Sequence, residues 1–256
     1  MRCYVWKVAV KKRASADQLP LLVAPTPRRK RKVRRGRPKQ PGAGVPHRRR
    51  PLLSSRHPVH VVLRVVSEVG SLRRRLAYRA VREATIVALQ REDFRIVHLS
   101  LQRTHIHLLV EASNRRALSR GMQSFQISAA KQLNRMIGKA RQGPRRRGTV
   151  FSDRYYAEVI ESPLQARRAL AYTLNNWRKH REARDPRLAS WAYDLFSSGW
   201  SFPDWAELID DPMFHPPPPT YEPLLVRPPT TWLLLVGWKR HGLISYHEVP
   251  SANDRR

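Results

Sequence analysis

Thr104-His105-Ile106-His107-Leu108-Leu109-Val110 decides how this chain is read. The run is apolar, of strand length, and interrupted only by its two imidazoles. In an extended strand alternate side chains share a face, so His105 and His107 point one way and Ile106 the other. Phe94-Arg95-Ile96-Val97-His98-Leu99-Ser100-Leu101 lies just upstream and has the same character. The polar turn between the two runs is too short for a crossover connection, so the pair reads as an antiparallel hairpin.

The pattern extends in both directions from that hairpin. Val59 to Val66 is β-branched and followed by Gly70, a further strand. Ser71 to about Arg91 reads as a helix, with Leu72, Leu76, Ala80, Ala84 and Val87 on one side. After the hairpin, Leu118, Met122, Phe125, Ala129, Leu133 and Met136 recur at helical spacing through Arg115 to Ile137. A basic, glycine-containing loop covers 138–148. Tyr155 to Ile160 is a fourth strand, and Ser162-Pro163 opens a third helix with an N-cap and a proline at its first position. The order is β-α-β-β-α-β-α. Its first six elements are those of an α+β, ferredoxin-like sandwich, an antiparallel sheet with two helices on one face.

Three regions are expected. Residues 57–182 hold the patterned core. Residues 1–56 form a basic arm: from Arg28 to Arg50 there are twelve Lys or Arg and no acid, with prolines and glycines between them. Such a segment buries too little apolar surface to offset the entropy of ordering it. Within it, Arg35-Gly36-Arg37-Pro38 resembles an AT-hook, and a generic basic linker reads the same way. Residues 183–256 form an extension with a polyproline linker at Pro216 to Pro219, and Trp191, Tyr193, Phe196, Trp200, Phe202 and Trp205 are expected to fold back onto the core.

The 256 residues carry 50 Lys and Arg against 19 Asp and Glu, a formal charge of +31. That imbalance opposes compaction unless a polyanion is near, and nucleic acid is the obvious one. A single cysteine, Cys3, excludes an intrachain disulfide and a cysteine-based zinc finger. Apolar runs are far shorter than a membrane span, and Lys7 interrupts any leader-like core, so the chain reads as cytoplasmic and soluble with no membrane partner.

On the third helix, at about 100° per residue, Gln165, Arg168, Tyr172, Asn176 and Lys179 fall within roughly 40° of one line. Leu170, Leu174 and Trp177 fall opposite. A helical tyrosine is commonly a core residue with a satisfied hydroxyl, and a His-X-His strand can simply face solvent. Two imidazoles suit zinc, copper, iron or manganese; an oxygen ligand from Asn176 would shift the preference toward Mn2+ or Mg2+. Tyr155 and Tyr156 are rival phenols, read as structural because they sit on a strand. Asp153 and Glu158 are the nearby carboxylates, and the other eight histidines show no comparable grouping.

Taken together, three separated segments resemble the single-tyrosine HUH (IS200-like) transposases, and more narrowly the REP-associated tyrosine transposase branch. His105-Ile106-His107-Leu108-Leu109-Val110-Glu111 resembles the signature strand, Val150 to Tyr156 the approach to the fourth strand, and Ala171-Tyr172-Thr173-Leu174-Asn175-Asn176 the catalytic helix. The match runs from about Arg56 to His180, with Asn176-Trp177-Arg178 where the family usually has asparagine, proline and valine. The resemblance implies an HUH endonuclease core in which His105, His107 and Asn176 hold a divalent cation, Mg2+ or Mn2+. Tyr172 would be the nucleophile that cuts single-stranded DNA through a 5′-phosphotyrosine, aided by Arg168 and Lys179. It implies a hairpin from palindromic repeats as partner, gripped by Arg35, Arg37, Lys139, Arg141, Arg145, Arg146 and Arg147 as well, with a monomer or a homodimer as the active form. The alternative is a non-catalytic nucleic-acid-binding protein on the same scaffold, which would display aromatics on its central strand for stacking.

Overall fold

A computed structural model describes residues 52–180, 191–210 and 219–250. Residues 1–51, which hold most of the basic arm with Arg35 and Arg37, and most of the polyproline run lie outside them. Four strands, β1 (Val59–Arg64), β2 (Phe94–Leu101), β3 (His105–Ala112) and β4 (Tyr156–Val159), form one antiparallel sheet in the order β2-β3-β1-β4. With α1 (Arg75–Leu89) between β1 and β2, and α2 (Arg115–Ala140) between β3 and β4, this is the ferredoxin-like order expected.

Alternation divides the sheet into two faces. Val59, Val61 and Leu63 of β1, with Ile106, Leu108 and Val110 of β3, meet Val81 and Ala84 of α1 and Met122, Phe125 and Leu133 of α2 in one core. α2 approaches closely because Gly121 lies flat on Phe94; a Cβ there would stand 2.2 Å from the ring. The apolar face of α1 is largely the expected one: Ala80 and Ala84 are buried where the spacing places them, as is Leu72 just before the helix. Ala77, Val81, Ala84 and Ala88 point inward, and Leu76 is 45% exposed. Small alanines let α1 lie close to α2, and of the expected stripe Leu76 is exposed and Val87 half-buried.

α3 (Pro163–Lys179) covers the opposite face. Its start follows from local chemistry: the Ser162 side chain accepts from Gln165 N, and Gln165 returns a bond to the Ser162 backbone. Leu170 and Leu174 join Val97 and Leu109 of the sheet in a second core, completed by Phe202, Trp205, Leu233, Trp238 and Ile244 of the C-terminal extension. α3 therefore lies between the sheet and the extension. Three polar contacts clasp its outer side: Arg167 makes a bidentate pair with Glu248 at 2.7 and 2.8 Å, Asn175 Nδ2 donates to Ser245 O at 2.8 Å, and Arg178 donates to Tyr246 O. Glu111 at the end of β3 is buried, its carboxylate accepting from the backbone N–H and hydroxyl of both Thr230 and Thr231.

Arg73 and Asp194 form a second tie, bidentate at 2.9 and 2.8 Å, with 4% and 0% of their side chains exposed. A buried carboxylate removed from such a pair strands the guanidinium in low dielectric. Asp194→Ala is therefore expected to cost about 3–5 kcal/mol of stability, read from the urea midpoint at constant slope. A loss under about 1 kcal/mol would show that water reaches Arg73.

A bulge between Ile96 and His98 puts Val97 in the second core and His98 opposite Leu109. His98 is buried against Phe202, its Nδ1 3.1 Å from Ser198 Oγ, which itself accepts from Leu99 N. The hydroxyl and the ring nitrogen thus share one hydrogen bond beside a ring that burial keeps neutral. Burial lowers the His98 pKa to about 4. The unfolded chain takes up this proton first as pH falls, so the contribution is complete above the ordinary histidine value of about 6.5. It is lost between there and about pH 4, an effect on the order of 3 kcal/mol. His98→Asn should flatten that part of the stability–pH profile; an unchanged slope would assign it to other groups.

Candidate functional site

Cross-strand register builds the site in rows on the α3 face of the sheet. Arg64 stands opposite His105, Val62 opposite His107 and Tyr156, and His60 opposite Leu109 and Glu158. His105 and His107 share the face, their ring centroids 4.7 Å apart and nearly perpendicular.

α3 lowers its polar stripe onto these rings. The Tyr172 ring meets His107 edge-on at 5.1 Å between centroids and is 5% exposed. Lys179, two turns on, places Nζ 5.2 Å above the Tyr172 ring. Asn176, one turn on from Tyr172, is fully buried, and neither its Oδ1 nor its Nδ2 makes a hydrogen bond. A buried amide left in that state costs about 1–3 kcal/mol, so its presence asks for a partner. Two imidazoles on one strand face and a buried amide oxygen would make an N,N,O donor set, which suits Mn2+ or Mg2+ when water and phosphate oxygens complete it. Among the described residues no three His, Cys, Asp or Glu side chains come together as a metal group, so such an ion would depend on the amide.

Two histidines that stood apart in the sequence enter the site. His60 of β1 places Nε2 3.2 Å from His107 Nδ1, with the rings within 12° of parallel, and meets Tyr172 edge-on at 5.9 Å. His180, the C-cap of α3, lies edge-on to His105 at 5.7 Å. The signal for His60 was present: it alternates with Val59 and Val61, so it had to face away from the apolar core. Its partner depended on the β1–β3 register, which periodicity does not give.

The rival phenols separate. Tyr155 is buried in the core with α1 and α2, the one of the two adjacent strand rings that packs inward, whereas Tyr156 is 50% exposed on the site face. Glu158 shares that face beside His60.

The basic residues also divide. Lys139, Arg141, Arg145 and Arg147 are exposed around the loop after α2, and Arg168 is half-buried on α3. Arg146, expected as a phosphate grip, also has partners within the fold. Its Nη1 donates to Asn134 Oδ1 at 2.9 Å and to Thr149 O at 3.0 Å, so the guanidinium fixes the loop. That loop folds back so tightly that a Cβ on Gly138 would stand 2.3 Å from Pro144 O.

The family model described as "Transposase IS200 like" matches residues 54–176, just under half the chain. Among solved structures the chain is similar to "Structure of the REP associates tyrosine transposase bound to a REP hairpin", with a TM-score of 0.46 and 14% identity, covering 67% of this chain and 89% of that one. No curated protein matches the chain. No helix among the described residues is long and apolar enough to cross a membrane.

Proposed function

We propose that the chain, whose residues 54–176 match the family model described as "Transposase IS200 like", is a metal-assisted, single-tyrosine DNA strand transferase of the REP-associated type. The observation that carries the reading is the meeting of the Tyr172 ring with His107 one helical turn from the buried, unbonded Asn176 amide. His105, His107 and Asn176 would hold a divalent cation. When bound, the ion supplies Lewis-acid polarisation of a backbone phosphate and offsets charge that builds on its oxygens.

The chain's own groups would do the rest. Edge contacts with His107 and His60 fix the Tyr172 ring, so little reorientation precedes attack. The Lys179 ammonium, 5.2 Å from the ring centroid, would meet the charge that builds on the phosphate oxygens. The Tyr172 oxygen bonds to phosphorus as the bond to the departing 3′ oxygen breaks; the phenolic proton is lost and the 3′ oxygen gains one. One strand then ends in a free 3′-hydroxyl and the other in a 5′-phosphotyrosine. Attack by another 3′-hydroxyl reverses the step and rejoins DNA, because the covalent link keeps the bond's energy. The exposed cations Lys139, Arg141, Arg145 and Arg147 would hold the backbone of a hairpin whose single-stranded flank enters the site.

The test uses hairpin oligonucleotides with single-stranded flanks and Mn2+. The proposal expects a shortened strand with a free 3′-hydroxyl and a protein-linked remainder. Tight binding with every strand intact would instead support the non-catalytic nucleic-acid-binding alternative.

A further inference from the structure

We propose that His60 is the positioning residue of the candidate ion site, holding the His107 imidazole in the one tautomer that can coordinate. This rests on the ion-site reading above. His60 and His107 are 6% and 3% exposed, and their facing nitrogens are 3.2 Å apart. The ring centroids are 5.3 Å apart and the planes within 12° of parallel. Those values place the rings edge to edge with one proton shared between Nε2 of His60 and Nδ1 of His107.

The shared proton has two possible owners. If His60 donates, His107 carries its own proton on Nε2, and that nitrogen has no lone pair for an ion. If His107 donates from Nδ1, its Nε2 is left to coordinate, and His60 is protonated at Nδ1. Only the second arrangement makes His107 a ligand. A metal-ligating histidine is ordinarily fixed in this way by a partner on its other nitrogen, commonly a carboxylate or a carbonyl. An imidazole does the same work without adding negative charge where a polyanion must enter. His60 also packs edge-on against Tyr172, so one side chain registers both the ligand and the phenol.

His60→Phe keeps a ring of similar size and deletes the hydrogen bond; His60→Gln keeps a polar group able to accept it. Mn2+ affinity of the full chain without DNA, followed by the electron paramagnetic resonance of free Mn2+, should weaken about 10–100-fold in His60→Phe and recover in part in His60→Gln. Wild-type affinity in a folded His60→Phe chain would overturn the proposal. Nitrogen-15 NMR of the wild-type histidines needs no variant: His107 is expected as the Nδ1–H tautomer, and Nε2–H would overturn the assignment. Absence of Mn2+ binding by the wild-type chain itself would remove the ion-site reading and this inference together, whereas binding lost in His107→Ala but kept in His60→Phe would remove this inference alone.

Discussion

Tyr172→Phe is expected to abolish covalent attachment to a hairpin oligonucleotide, a loss of at least about 10⁴-fold in the rate of adduct formation, while the affinity for the same DNA stays within a few-fold. The first effect follows from chemistry: the phenyl ring has no oxygen to bond to phosphorus. The second follows from packing. The Tyr172 ring touches His107 and His60 through its edge, and those contacts survive loss of the hydroxyl. Denaturing gels of adduct and equilibrium binding of the uncut oligonucleotide check the two halves separately. Adduct persisting in Tyr172→Phe would name Tyr156, the half-exposed phenol on the same sheet face. Tyr155 is not a rival, because its ring is buried in the core on the other side.

Asn176→Leu is expected to stabilise the ion-free protein and to abolish stabilisation by Mn2+. An amide with both polar atoms buried and unbonded carries a desolvation cost of about 1–3 kcal/mol, which a leucine of similar volume removes. The wild-type chain should gain about 2.7 kcal/mol at Mn2+ a hundredfold above its dissociation constant, and the variant should gain almost nothing. The two melting curves would then cross as the ion is added. A variant less stable than wild type without Mn2+, or equally stabilised by it, would mean that the amide is held by the fold and not reserved for a ligand.

Much of this was legible where the signal was local. The hairpin around His105, the capped start of α3 at Ser162 and the inward face of α2 each depend on residues a few positions apart, and the structure has them where periodicity places them. On α1 only Leu76 misled, because it outweighs Ala77 on any hydrophobicity scale, whereas close helix packing rewards the small residue. His60 was hidden because its partner lies 47 residues away across a strand pair. The clasp on α3 was hidden for a similar reason. Arg167 reaches Glu248 over 81 positions, and Glu111 of β3 reaches Thr230 and Thr231 over some 120, through an extension whose aromatic residues follow no period. Arg146 looked like any other cation of its loop until its acceptors, Asn134 and Thr149, folded around it.

Peptide mapping of the covalent adduct by mass spectrometry tests the central claim most directly. After digestion of protein and DNA, the account predicts a phosphodeoxynucleotide mass on the peptide carrying Tyr172 and on no other. The same mass on Tyr156, or recovery of every tyrosine unmodified from a reaction in which the strand was cut, would contradict it.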